Sequence, residues 1–141
     1  MSTEPRTTRP SPPAARALLA AMLIVPAIIH LLPLYGLMGT GPLASLYGID
    51  ASAPDLALLM RHRAVLFGLL GALLLAAAFR PGLRTAALMG GFGSVVSFLA
   101  LAWLVDGENA RLARVAAVDW LALACLGVAA VLHGRSRVSR G

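Results

Sequence analysis

Charge is scarce in this chain, and lysine is missing altogether. Only 13% of the 141 residues are Asp, Glu, Lys or Arg, and all twelve basic residues are arginines. A soluble domain carries about 25% charged residues, so this chain has too little polar surface to stay dispersed in water. Cysteine is nearly absent as well. Cys125 is the single one, and it lies inside an apolar run, which excludes a disulfide framework and any thiolate metal site. Aromatics make up 6%. No glycine-rich phosphate loop, nucleophile elbow, metal-spaced histidine set or cysteine pair is present, so no metal site is expected and no cofactor is identifiable.

What fills the chain instead is apolar: 59% of its residues are hydrophobic. Crossing the hydrocarbon core of a bilayer takes roughly 20 such residues in a helix. Four stretches reach that length or approach it, at about 17–38, 56–79, 83–105 and 115–132. The expected fold is therefore all-α, an integral membrane four-helix bundle occupying residues 17–133. A disordered cytoplasmic leader (1–16) precedes it and a short basic cytoplasmic tail (134–141) follows. The leader is long and proline-rich, and no small-residue cleavage site follows the first apolar run, so that run reads as a retained span.

The net charge of +6 does not point to nucleic acid, because the arginines sit at the ends of apolar runs. Their distribution gives an orientation. With the N-terminus inside, Arg6, Arg9, Arg16, Arg80, Arg84, Arg135, Arg137 and Arg140 fall on the inner side. Arg61, Arg63, Arg111 and Arg114 fall outside, beside Asp50, Asp55, Asp106 and Glu108. This is the positive-inside pattern, with both termini cytoplasmic. Tyr35, Tyr47, Trp103 and Trp120 all fall at outer ends, as an interfacial belt. Within the long outer loop, Pro42–Tyr47 is expected to form one amphipathic turn with Leu43, Leu46 and Tyr47 on one side.

Ionisable groups at membrane depth are rare and usually face the bundle interior. His30, the triplet Arg61-His62-Arg63 and Asp119 are the groups to explain here. Neither Arg111 nor Arg114 has an i−3 or i−4 spacing to Asp119, so its partner is sought on another helix. Arg61 stands seven residues before Gly68, on the face of the small-residue stripe Ala64, Gly68, Ala72 and Ala76, and is expected to turn toward Asp119. Arg63 lines up with bulky Phe67, Leu70 and Leu74, and is expected to snorkel to the headgroups. Gly90, Ser94 and Ser97 form a second small face, and such faces let membrane helices pack closely. Pro26 and Pro33 are expected to bend the first span around His30. The candidate cluster is thus His30, Arg61, His62 and Asp119, for ligand binding or for an ion pair.

The runs Leu46-Tyr-Gly-Ile-Asp50, Asp55-Leu-Ala-Leu-Leu-Met-Arg-His-Arg-Ala-Val-Leu-Phe-Gly68, Ala77-Ala-Phe-Arg-Pro81 and Arg114-Val-Ala-Ala-Val-Asp119 resemble a family of small bacterial four-span proteins similar to DoxX-like membrane proteins. The resemblance covers nearly everything from Ala17 onward and is most specific over Met60–Gly68. It implies a fold and a place in the bacterial cytoplasmic (inner) membrane rather than a reaction. Members often carry the label phosphopantetheine adenylyltransferase. Enzymes of that name are soluble nucleotidyltransferases with an H-x-G-H motif, and His30, His62 and His133 have no such spacing.

Two functions follow as expectations. One is a structural or accessory membrane subunit, non-enzymatic, that contacts membrane lipids and a second copy or another membrane protein through its small-residue faces. The other is a binder or converter of a small lipophilic ligand at the His/Arg/Asp cluster. The orientation is directly testable. A reporter active only in the cytoplasm should be active when fused after residue 141 and silent when inserted near Gly48. The reverse pattern would invert the topology.

Overall fold

The computed structural model describes residues 13–105 and 109–138, and among them the architecture is entirely helical. Five α-helices are present: α1 (Pro13–Leu31), α2 (Thr40–Tyr47), α3 (Pro54–Phe79), α4 (Arg84–Leu104) and α5 (Ala110–Val138). Four segments are long and apolar enough to cross a membrane: Pro13–Met38, Pro54–Phe79, Pro81–Leu104 and Ala110–Val138. Residues 1–12 of the expected leader, Asp106 and Glu108 of the outer loop, and positions 139–141 of the tail lie outside the described residues. Pro13–Arg16 form the first turn of α1, and α5 runs past position 134 as far as Val138.

The four long helices form a ring in which α1 packs on α3, α3 on α4, α4 on α5, and α5 back on α1. They alternate up and down. At one end, Thr85 at the start of α4 lies 3.3 Å from His133 near the end of α5. At the other, His30 near the end of α1 shares a cavity with Arg63 and Asp119 from the N-terminal halves of α3 and α5. The core consists largely of Leu23, Ala27, Leu74, Ala77, Ala87, Val95, Ala122 and Leu126, all essentially without exposed surface. Large apolar side chains such as Leu69, Met89, Leu121 and Val131 point outward, as required of surfaces facing lipid tails.

α1 runs through Pro26 as an α-helix but stops just before Pro33. Pro33 has no N–H, and its ring collides with the carbonyl one turn earlier, so an α-helix cannot pass through it unchanged. The chain responds by tightening: Leu32–Met38 continues as a 3₁₀ helix. Seven residues is long for that geometry, which rarely exceeds four. The expected bend is therefore a change of helix type.

Small residues set the helix spacings, on a register different from the one expected. On α3 the buried positions are Ala57, Ala64, Gly68, Gly71, Leu74, Ala77 and Ala78, whereas Ala72 is exposed and Ala76 half-buried. A strict four-residue stripe drifts about 40° per step around a helix of 3.6 residues per turn, so it leaves the contact face by Ala72. At Gly71 the backbone of a neighbouring helix comes close. A Cβ there would stand 3.0 Å from the Ala27 carbonyl oxygen and 2.9 Å from Leu31 Cγ. Gly68 abuts Leu34, and Gly90, half-buried, abuts Leu70. Ser94 is half-buried, and Ser97 is exposed. Leu74, expected to face lipid, is fully buried beside Gly91.

At the tight turn Arg80–Leu83, the Arg84 guanidinium donates to the carbonyls of Ala77 (3.2 Å) and Ala78 (3.4 Å). These belong to the last turn of α3, whose carbonyls lack helical partners.

Two substitutions test this packing. Gly71→Val should lower stability by about 1–3 kcal/mol, because a backbone carbonyl must move. Gly93→Ala, which meets no protein atom within 4 Å, should leave the unfolding midpoint in detergent unchanged or raise it. Equal behaviour of the two would contradict the assigned α1–α3 contact.

Candidate functional site

At the α2 end of the bundle the helices splay around a partly enclosed cavity of about 520 Å³. Its walls come from five elements: the end of α1 (Ile29, His30), the 3₁₀ segment (Leu32, Pro33), α2 (Ser45, Leu46, Tyr47), α3 (Arg63, Phe67) and the first turns of α5 from Ala110 to Asp119. The volume lies within the roughly 300–1,000 Å³ typical of small-molecule sites.

The short helix α2 roofs this cavity, and the local sequence explains how it is held. Gly48 ends it in the left-handed region (φ 67°), with its N–H bonded to the Ala44 carbonyl at 2.8 Å. A side chain at Gly48 would be strained there and would press on Asn109 and Arg111. Leu43, Tyr47 and Ala51 are buried, with Leu46, Ile49, Met60, Leu112 and Val115 packed against them. The expected amphipathic turn is present, but its apolar side faces the bundle end.

The carbonyls at the end of α2 and the N–H groups at the start of α5 are satisfied by two residues. The Asn109 side-chain oxygen accepts from the N–H groups of Arg111 and Leu112, each at 3.0 Å, so Asn109 caps α5. Its amide nitrogen donates to the Tyr47 carbonyl at 2.9 Å. The Arg111 guanidinium donates to the carbonyls of Ala44 and Ser45. An arginine in the first turn of a helix works against the helix dipole. Here its charge is spent on the carbonyl end of a second helix.

His30 is 3% exposed. Its Nδ1 lies 2.8 Å from the Pro26 carbonyl, which can only accept, so Nδ1 carries a proton. Nε2 faces the Ser94 hydroxyl at 3.3 Å. With one nitrogen donating to a carbonyl and the other accepting from a hydroxyl, the neutral ring is fully satisfied. Its face meets Phe67 at 5.6 Å between centroids.

Arg63 holds the position expected of Arg61. Its guanidinium carbon lies 4.6 Å from the centre of the Phe67 ring, 5.2 Å from Tyr47 and 5.8 Å from Phe98. Three aromatic rings thus surround one cation, each contributing through its electron-rich face. Asp119, half-buried, lies within electrostatic reach of Arg63 across the cavity. Among the described residues its carboxylate accepts no hydrogen bond and makes no ion pair within 4.0 Å. Arg61 and His62 are exposed and line no part of the cavity. The reason is rotational. The buried face of α3 is centred on Ala57, Ala64, Gly71 and Ala78; Arg61 flanks it on one side, while Arg63 and Phe67 flank it on the other, where the cavity opens.

The structure therefore brings together His30 and Asp119 of the expected cluster, leaves out Arg61 and His62, and adds Arg63, Tyr47, Phe67, Arg111 and Arg114. Tyr47, expected in an interfacial belt, is buried (5% exposed) on the inward side of α2, while Tyr35, Trp103 and Trp120 are exposed. Burial pushes the Tyr47 hydroxyl pKa up, against the opposing pull of the Arg63 cation and of the hydrogen bond that Arg63 donates to the hydroxyl oxygen. It stays a neutral donor at physiological pH. Among the described residues no three His, Cys, Asp or Glu side chains gather closely enough to hold a metal ion.

The roof makes a specific prediction. Asn109→Ala removes the α5 cap and the Tyr47 tether, and should cost about 1–2 kcal/mol. Amide exchange should rise selectively over Thr40–Tyr47, as measured by mass spectrometry in detergent. A uniform rise throughout the bundle would show that α2 is not held as a separable roof.

No match to this chain is found among protein-family models, curated proteins or solved structures, so the site is interpreted from its own geometry.

Proposed function

We propose that the chain is a multi-pass protein of the bacterial inner membrane, with both termini cytoplasmic, of the DoxX-like kind that its sequence resembles. Its task is to bind a small lipophilic molecule at the α2 end of the bundle. The observation that carries this reading is the cavity itself. A structural bundle has no use for about 520 Å³ of space beside a half-buried arginine and an unpaired aspartate. Unpaired polar groups against an apolar wall are arranged as ligand sites are: a few placed polar groups fix orientation, and hydrophobic walls supply affinity.

The polar groups favour holding over transforming. His30 already has partners for both ring nitrogens, and Cys125, the chain's one thiol, belongs to the α5 core rather than to the cavity.

A second reading rests on α4. Gly93 and Ser97 are exposed one turn apart on this helix, and exposed small residues at that spacing let a second membrane helix approach. This is the accessory-subunit role, with a second copy or another membrane protein as partner. Gly93→Cys should then form a disulfide dimer or capture its partner in native membranes.

Native mass spectrometry from lipid nanodiscs tests the main reading. A molecule of defined mass should leave with the wild type and be lost in Val118→Trp, which adds bulk to the cavity wall, with helix content and unfolding midpoint measured to show that the variant is folded. Equal retention by both proteins would place the molecule elsewhere, and its absence from the wild type would contradict the reading.

A further inference from the structure

The charge balance of the cavity narrows what it accepts. Three arginines, Arg63, Arg111 and Arg114, line it against one carboxylate, Asp119, with His30 satisfied as a neutral ring. An excess of two positive charges faces a space otherwise walled by Ile29, Leu46, Phe67 and Val118.

The arginines are not equivalent. Arg111 is committed to the carbonyls of α2. Arg63 is half-buried between three aromatic rings, and no carboxylate lies within 4.0 Å of it among the described residues. Its one polar partner among the described residues is the Tyr47 hydroxyl, a single acceptor for a group with five N–H donors, so most of its N–H groups are left to a ligand. Guanidinium is planar and weakly hydrated, and its edge matches the two oxygens of a carboxylate or phosphate. Arg114 lies on the cavity rim, exposed, with no hydrogen bond to another described residue.

We infer that the ligand is a single-tailed amphiphile with an oxyanion head, a carboxylate or a phosphate monoester, whose head bridges Arg63 and Arg114 while its tail lies along Ile29, Phe67 and Val118. This rests on the lipophilic-ligand reading above and specifies its chemistry. A neutral lipophile would leave most of the Arg63 N–H groups unpaired in a half-buried pocket, and a cationic one would meet net repulsion. Asp119 sharpens the selection. It opposes anions of high charge and accepts a hydrogen bond from a head that keeps one proton or hydroxyl.

The test uses four probes with the same tail, added to the full-length protein in phosphatidylcholine nanodiscs at about pH 8, where carboxylates are ionised. The probes are dodecanoate, dodecyl phosphate, methyl dodecanoate and dodecylamine, and bound stoichiometry is measured by native mass spectrometry. Dodecanoate or dodecyl phosphate, or both, should bind about tenfold or more tightly than the ester and the amine, as expected of charge-assisted contacts. Whichever anion binds better identifies the head as carboxylate or phosphate. Arg63→Gln should bring the anions down to the level of the ester and leave the ester unchanged. Because Arg63 also packs among rings, Arg114→Gln at the rim provides a second variant that disturbs no packing, and it should lower only the anions. Equal binding of acid and ester by the wild type would overturn this inference and leave the broader reading intact. If none of the four probes bound and no molecule co-purified, both would fall.

Discussion

The contact between α1 and α3 at Gly71 is the constraint on which the rest of the molecule depends. Apolar side chains gain nothing from contact with one another in place of lipid, so helices in a bilayer hold together where backbones approach closely. The Ala27 carbonyl lies 3.0 Å from where a Gly71 side chain would begin, so any larger residue there has to push the two backbones apart. This contact fixes the rotation of α3 and thereby decides which side of Arg61-His62-Arg63 meets the bundle. With Gly71 against α1 and Gly68 against Leu34 of the 3₁₀ segment, Arg63 and Phe67 turn toward α5 and α2, and Arg61 and His62 turn away. The membrane helices need no further specification at this end, because Asn109 and Arg111 lock α2 across the opening.

The site is an electrostatic compromise. Three rings can hold a cation at depth, since each presents partial negative charge on its face at little desolvation cost of its own. A carboxylate in contact would satisfy Arg63 more strongly but would also neutralise it. Asp119 stands off instead, within reach of the field of Arg63 but not bonded to it. That separation leaves both groups available to a third party, which distinguishes this arrangement from a buried structural pair.

Much of the fold was legible in the order of residues. Four apolar runs and the amphipathic Pro42–Tyr47 segment predict the existence and order of the helices, because hydropathy over a bilayer's thickness is a strong signal. The site was half legible. His30 and Asp119 stood out as ionisable residues in apolar surroundings, and they do share a cavity. Arg63 was missed because a stripe of every fourth residue (Ala64, Gly68, Ala72, Ala76) was used to orient α3, whereas the buried face follows Ala64, Gly68, Gly71, Leu74 and Ala78. That is closer to the mean spacing of about 3.6. Gly71 was the signal that could have corrected it. The aromatic cage around Arg63 draws on Tyr47 and Phe98 from two other elements, and no local pattern announces such a gathering. The end of α1 at Leu31 was foreshadowed by Pro33, though not the choice of a 3₁₀ continuation over a kink.

The central claim is that the space beneath α2, and no other part of the apolar surface, receives the ligand. Photolabelling addresses this most directly, with a single-chain fatty acid carrying a diazirine at mid-tail and peptide mapping of the adducts. The account predicts adducts concentrated on Ile29, Phe67 and Val118 and suppressed by excess unlabelled acid. Adducts spread over the outward-facing Leu69, Met89 and Leu121, unaffected by competition, would contradict it.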